Sequence, residues 1–200
     1  YTSDVHIKDS ILHGVKAMRE CANVEIMNCD IISTEFGWST KDIRIKDSSA
    51  EGEYFMLRAE NITLSNMRFK GKYSFQYINN AVIENSVLDT KDAFWHASHV
   101  TVRNSVVKGE YLGWFSKNLT LVNCRISGTQ PLCYCEDLTL VNCTMEGCDL
   151  SFEYSSVNAT VEGHIDSVKN VKSGKIICGS VGEIINEDPI MECSGEIVTE

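Results

Sequence analysis

One spacing decides most of what this chain can fold into. Stepping by nineteen residues from Val5 gives Val24, Ile43, Ile62, Ala81, Val100, Leu119, Leu138, Val157 and Ile176, all apolar, with no insertion interrupting the count. Such self-similarity marks a solenoid, in which each unit buries its apolar side only against its neighbours. Two hundred residues would otherwise suggest one or two separate cores.

Let that apolar residue be position zero of each unit. Position +2 is apolar too (Ile7, Ile26, Ile45, Leu64, Ile83, Val102, Leu121, Leu140, Ala159), with polar residues between, so a strand with one buried face is predicted here. Position +4 is Asp or Asn from Asp9 to Asn142, side chains that tolerate turns and left-handed backbone. Stacked about 4.8 Å apart, these side chains can form a hydrogen-bonded asparagine ladder. Position +5 is small in all but one unit, +7 starts a second inward strand at Leu12, Ile31, Phe69, Leu88 and their equivalents, and +9 favours Gly. A third segment runs from about +11 to +16, and Lys, Asn, Asp or Ser at +17 and +18 usually leads into the next unit.

Three short strands and three turns per unit describe a triangular coil. The expected fold is all-β: a single-stranded right-handed parallel β-helix of about nine to ten coils of 19 residues. A leucine-rich repeat fits less well, because its Asn comes one residue later and its return leg is helical. Regular coils are expected over residues 1–162, an irregular C-terminal coil and cap over 163–185, and an acidic, partly ordered tail over 186–200. The chain begins at Tyr1, part-way into a unit, and reads as a segment of something longer.

Net charge is −10, and six acidic residues with no basic ones lie between Glu183 and Glu200. That argues against generic phosphate-backbone binding, so no nucleic-acid partner is expected. No apolar run approaches membrane-spanning length, so no membrane partner is expected either. Nine cysteines, an odd number whose positions follow the repeat, favour reduced buried thiols and a cytoplasmic location. Cys124 and Cys143 occupy the same position in consecutive coils and are read as stacked thiols rather than a disulfide. No Cys-x-x-Cys occurs, and neither metal nor cofactor is expected.

The segments Lys91–Trp95, Gly109–Trp114, Ser116–Cys124, Phe152–Ser155 and His164–Lys169 resemble a bacterial family catalogued as domain of unknown function 3737, within the broad pectin-lyase-like group of right-handed β-helices. The resemblance extends to about residue 185 and implies the fold, but brings no established activity. Members usually carry further N-terminal coils. Lyase or hydrolase chemistry from the wider group would be analogy of fold alone.

The third segment holds the candidate site. Read as a strand, it points +12, +14 and +16 inward (Phe36, Trp38, Phe55, Leu57, Ala93, Trp95, Ala97, Leu112, Trp114, Cys133, Phe152), with Arg19 and Gln76 as exceptions. Positions +11, +13 and +15 then face outward, placing Tyr54, Arg58, Tyr73, Phe75, Tyr77, Phe94, Tyr111, Phe115, Tyr134 and Glu153 on one aromatic face, with Asp92, His96, Gln130 and Asp149 among them. Such a face suits a carbohydrate, whose rings stack on aromatics, or a protein partner. The preferred reading is a non-catalytic binding scaffold whose oligomeric state is open. Asp92 and His96 are weak catalytic candidates, because four residues along a strand separate them by about 13 Å. The alternatives are a carbohydrate-active enzyme using that face, and an acidic mimic of DNA like some pentapeptide-repeat solenoids.

Overall fold

The computed structural model describes residues 2–200. The chain is a right-handed parallel β-helix of about ten turns. Among the described residues, eighteen strands form one sheet in which each strand pairs in parallel with its neighbours one coil away. Nineteen residues make one coil: Val5 pairs with Val24, Val24 with Ile43 and Val100 with Leu119.

Each regular coil has two strands. The first side runs through Ser3–Lys8, Ala22–Met27, Lys41–Lys46, Glu60–Ser65, Asn79–Glu84, Ser98–Arg103 and Lys117–Val122. The second runs through Ile11–Val15, Asp30–Thr34, Ser49–Glu53, Arg68–Lys72, Val87–Lys91, Val106–Lys108 and Arg125–Ser127. From the second coil onward, positions zero and +2 are buried, as are Ile31, Leu88, Val107 and Ile126 at +7. Alternation therefore works on both strands, as extended backbone requires.

The corner between them is built as expected. From Asp9 to Asn142, position +4 has a left-handed φ of 49–53°. Its side chains form a ladder in part of the stack, with Asn28 donating to Asp9 at 2.7 Å, Asn66 to Asp47 at 2.6 Å and Asn123 to Asn104 at 3.1 Å. At +5 the hydroxyl of Ser105 donates to the Arg103 carbonyl (2.7 Å) and accepts the Ser86 amide (3.0 Å). A large side chain there would displace both bonds. Gly109 at +9 has φ 148°, and an added Cβ would lie 2.2 Å from the Thr90 carbonyl oxygen. A second Asn/Asp ladder stands at +18, with φ 52–59°, where Asn23 donates to Asp4, Asn61 to Asp42 and Asn80 to Asn61.

The third side is not a strand, which corrects the expectation of three strands per coil. Positions +11, +13 and +15 all have left-handed φ, in coil after coil: 55°, 60° and 57° at Tyr54, Met56 and Arg58, and 54°, 61° and 54° at Asp92, Phe94 and His96. Backbone hydrogen bonds still join the coils. Phe94 N–H donates back to Ser74 O (3.0 Å), whereas Asp92 and His96 donate forward to Glu110 O and Trp114 O (both 2.9 Å). With every second residue left-handed, side chains no longer alternate. Positions +12, +13 and +16 are buried, while +11, +14 and +15 lie mostly at the surface.

The nineteen-residue count ends at Val157: the next coil is shorter, so Val157 pairs with Gly174, and Ile176, the expected next position zero, pairs instead with Ala159 at +2. In the coil starting at Leu138, the left-handed residues are Leu150, Phe152 and Tyr154, one position late. The extra residue is removed again before Val157, which pairs with Leu138. Up to that point the nineteen-residue count thus survives a compensated insertion and deletion. Residues 163–185 lie largely in two long paired strands, Ser156–Lys169 and Ser173–Ile185, whose register shifts between Val161 and His164, so this coil is irregular relative to those before it. Within the tail, Glu196–Thr199 adds a last strand beside Lys175–Cys178. No helix among the described residues is long and apolar enough to cross a membrane.

Candidate functional site: an aromatic ladder on the third side

The rows at +11 and +15 reach the surface, and +15 carries the longer stack. Tyr77, His96, Phe115 and Tyr134 lie face to face in successive coils, with centroids 4.8, 5.0 and 4.8 Å apart and planes within 16° of parallel. Arg58 covers one end, its guanidinium carbon 5.5 Å from the Tyr77 ring centre. Tyr154 continues the other end, tilted at 5.6 Å. Tyr77 is 49% exposed and Phe115 39%, so the row is a surface feature.

At +11, Tyr54 stacks on Tyr73 at 5.2 Å, and Asp92 and Tyr111 follow in the next coils. Lys72 and Lys91 cap the rings of Tyr73 and Tyr111 at 5.4 and 5.3 Å. Position +14 links the two rows. Trp114 meets Tyr111, Phe115 and Tyr134 edge-on at 5.3, 6.2 and 5.5 Å. Gln76, Trp95 and Trp114 each donate a side-chain N–H to the +11 carbonyl of the next coil, at Asp92 (3.0 Å), Tyr111 (2.6 Å) and Gln130 (2.7 Å). Gln76 therefore does the same work as the tryptophans around it.

Tyr54, Arg58, Tyr73, Tyr77, Tyr111, Phe115 and Tyr134 are exposed or half-buried on this side, as is Gln130. Phe75 and Phe94, assigned to the same face, are instead fully buried at +13. They stack on each other at 5.1 Å and continue a phenylalanine column through Phe55 and Phe36. Conversely, Trp38, Trp95 and Trp114, expected inside, are only half-buried, whereas Phe36, Phe55, Leu57, Ala93, Ala97, Leu112, Cys133 and Phe152 are buried. Both corrections come from the left-handed residue at +13. Gly37 and Gly113 at that position were the available signal.

The acid–base candidates have different surroundings. Asp92 is buried, and that burial raises its carboxyl above the ordinary carboxylate range, opposed by Lys91 and reinforced by Glu110. His96 is held between two aromatic rings. Glu153 is ion-paired to Lys169 at 2.9 Å, and burial chiefly, then Glu153, raises the Tyr134 phenol. The nine thiols are free and all but Cys193 are buried. Burial pushes Cys135 up to about 11 and Cys148 up to about 12. No group of three or more metal-ligating side chains occurs among the described residues.

A family model described as "Protein of unknown function (DUF3737)" matches residues 1–198. No curated protein matches the sequence. Two solved structures are similar, both trypsin-treated forms of QnrB1, a plasmid-mediated fluoroquinolone resistance protein. One has 8% identity, 98% coverage of this chain and 91% of the other, and a TM-score of 0.26. The second has 9% identity, 96% and 91% coverage, and a TM-score of 0.29. Superpositions this loose say nothing about the role of this chain.

Proposed function

The chain belongs to the DUF3737 family, and we propose that it is a non-catalytic scaffold whose third side docks a protein partner. The observation that carries this reading is the face-to-face stacking of Tyr77, His96, Phe115 and Tyr134. A pyranose stacks on the flat face of an aromatic ring. Here the faces in the row are taken up by neighbouring rings, and mostly edges meet solvent. An edge-on strip of tyrosine and phenylalanine rimmed by Arg58 and Gln130 has the composition of a protein interface, where aromatics and Arg are enriched.

The other readings draw less from the geometry. Asp92 and His96 engage different neighbours, which gives acid–base catalysis no working pair. For a DNA mimic, rows of unneutralised carboxylates are needed. Glu60, Glu110, Glu136 and Glu146 are instead paired with Lys41, Lys91, Lys117 and Arg125. A reducing, cytoplasmic setting belongs to the same proposal and rests on the buried free thiols.

The test compares wild type with a Tyr77→Ser, Phe115→Ser double variant of unchanged circular dichroism. A protein retained from extracts of the producing organism by wild type, lost by the variant, and shown to bind directly after purification supports the reading. A glycan that raises Tm in wild type but not in the variant overturns it in favour of a sugar.

A further inference from the structure

On the outer surface of the β-helix, cations usually face acids one coil away. Lys41 meets Glu60 at 3.3 Å, Lys91 meets Glu110 at 2.7 Å and Lys117 meets Glu136 at 2.9 Å. One row on the first side departs from this habit. Lys8, Met27 and Lys46 are in register in consecutive coils, so two lysines flank an apolar residue with no acid between them. Met27 is 42% exposed. In the parallel row, Glu25 is already engaged by His6 at 3.1 Å and Arg44 at 3.4 Å. The carboxylate beside Lys46 is Asp47, 3.7 Å away, and it also accepts the Asn66 amide at 2.6 Å.

His6, Lys8, Glu25, Met27, Arg44 and Lys46 line a groove of about 490 Å³ that extends to Thr63 and Ser65. That volume falls within the range of small-molecule sites. Met27 lines it between the two lysines, and its flexible thioether adapts to varied apolar shapes. Its walls are the aliphatic stems of Lys8, Lys46 and Arg44, which cover apolar surface while their charged ends stay in water. Four basic side chains (His6, Lys8, Arg44 and Lys46) thus surround one committed carboxylate, on a chain whose net charge is −10.

We propose that this groove binds an organic anion with an apolar body. Its carboxylate or sulfonate sits between the ammonium groups of Lys8 and Lys46, and its hydrocarbon covers Met27. Lysine stems are long enough for two ammoniums about 9.6 Å apart at the backbone to converge on one head group.

The probe is 8-anilinonaphthalene-1-sulfonate, with uncharged N-phenyl-1-naphthylamine as control. Fluorescence titration should give one saturable site for the sulfonate, weakened by salt, and none for the neutral amine. Amide shifts should concentrate at His6–Lys8, Glu25–Met27 and Arg44–Lys46. A Lys8→Gln, Lys46→Gln double variant should bind about tenfold more weakly. Met27→Glu, which restores the cation–acid alternation of the other rows, should abolish binding with Tm unchanged or raised, so lost binding cannot be mistaken for unfolding. Equal binding of the neutral amine, indifference to the lysine substitutions, or shifts centred on Tyr77–Phe115 would each overturn the proposal. The aromatic ladder lies on another side of the β-helix, so either site can fail without the other.

Discussion

The indole of Trp95 lies 5.5 Å from that of Trp114, with planes 8° apart, and the Nε1–H of Trp95 donates to the Tyr111 carbonyl at 2.6 Å. Two adjacent coils are thus joined by a stack and a hydrogen bond from one side chain. Trp95→Phe keeps part of the stack and removes the donor. It should cost about 1–3 kcal/mol, most of it from the carbonyl left without that partner. Trp95→Gln should recover part of the loss, because Gln76 makes the equivalent bond one coil earlier. Urea denaturation of the three proteins decides it, and equal stability of wild type and the Phe variant would refute this role for the indole.

Left-handed residues on the third side carry a backbone cost. Ser39 at +15 has φ 54°, and only its amide is used between coils, donating to Leu57 O at 2.8 Å. For a residue with a Cβ, this conformation costs about 1–2 kcal/mol, of which glycine gives back about 0.5–1 kcal/mol through its more flexible unfolded state. Ser39→Gly should therefore stabilise the protein by about 0.5–1 kcal/mol. The same change at the adjacent, buried Thr40, outside the left-handed set, should destabilise it. Midpoints compared at constant m-value provide the measurement.

How far the architecture could be read in advance depended on backbone type. On the two strands, period-two alternation is a geometric necessity, so Val24, Ile26 and Ile31 were placed inside correctly. Asn and Asp at +4 announced their left-handed corner by chemistry. The Asn/Asp run at +18 carries the same chemistry for a second ladder, but Lys and Ser at +17 and +18 dilute the pattern. On the third side, period-two alternation fails because the backbone is not extended. Alternation would turn Phe75 and Phe94 outward, and Trp95 and Trp114 inward. The exposed part of the ladder survived because +11 and +15 stay at the surface under either geometry. A position that accepts Gly37, Gly113, Met56 and Phe94 was the clue: only a left-handed site facing the core suits both glycine and large apolar residues.

Asp92 offers a pH-dependent test of that same backbone. It is 5% exposed, and burial raises its carboxyl above the ordinary range, with Glu110 adding to the shift and Lys91 opposing it. A raised folded-state value means that the folded protein holds this proton more tightly than the unfolded chain. The resulting stabilisation is complete below the unfolded carboxylate range and is lost as pH rises through the folded value. At neutral pH the ionised group is therefore a net liability to the fold. Asp92→Asn keeps the size and tolerates the φ of 54° equally well, while removing the charge. The variant should be more stable than wild type at pH 7, and its advantage should shrink steadily on acidification into the carboxylate range. Thermal denaturation of both proteins from pH 3 to pH 8 follows the difference directly. An advantage that grew as pH fell would mean that the carboxylate is favoured by its surroundings, with Lys91 rather than burial setting its ionisation.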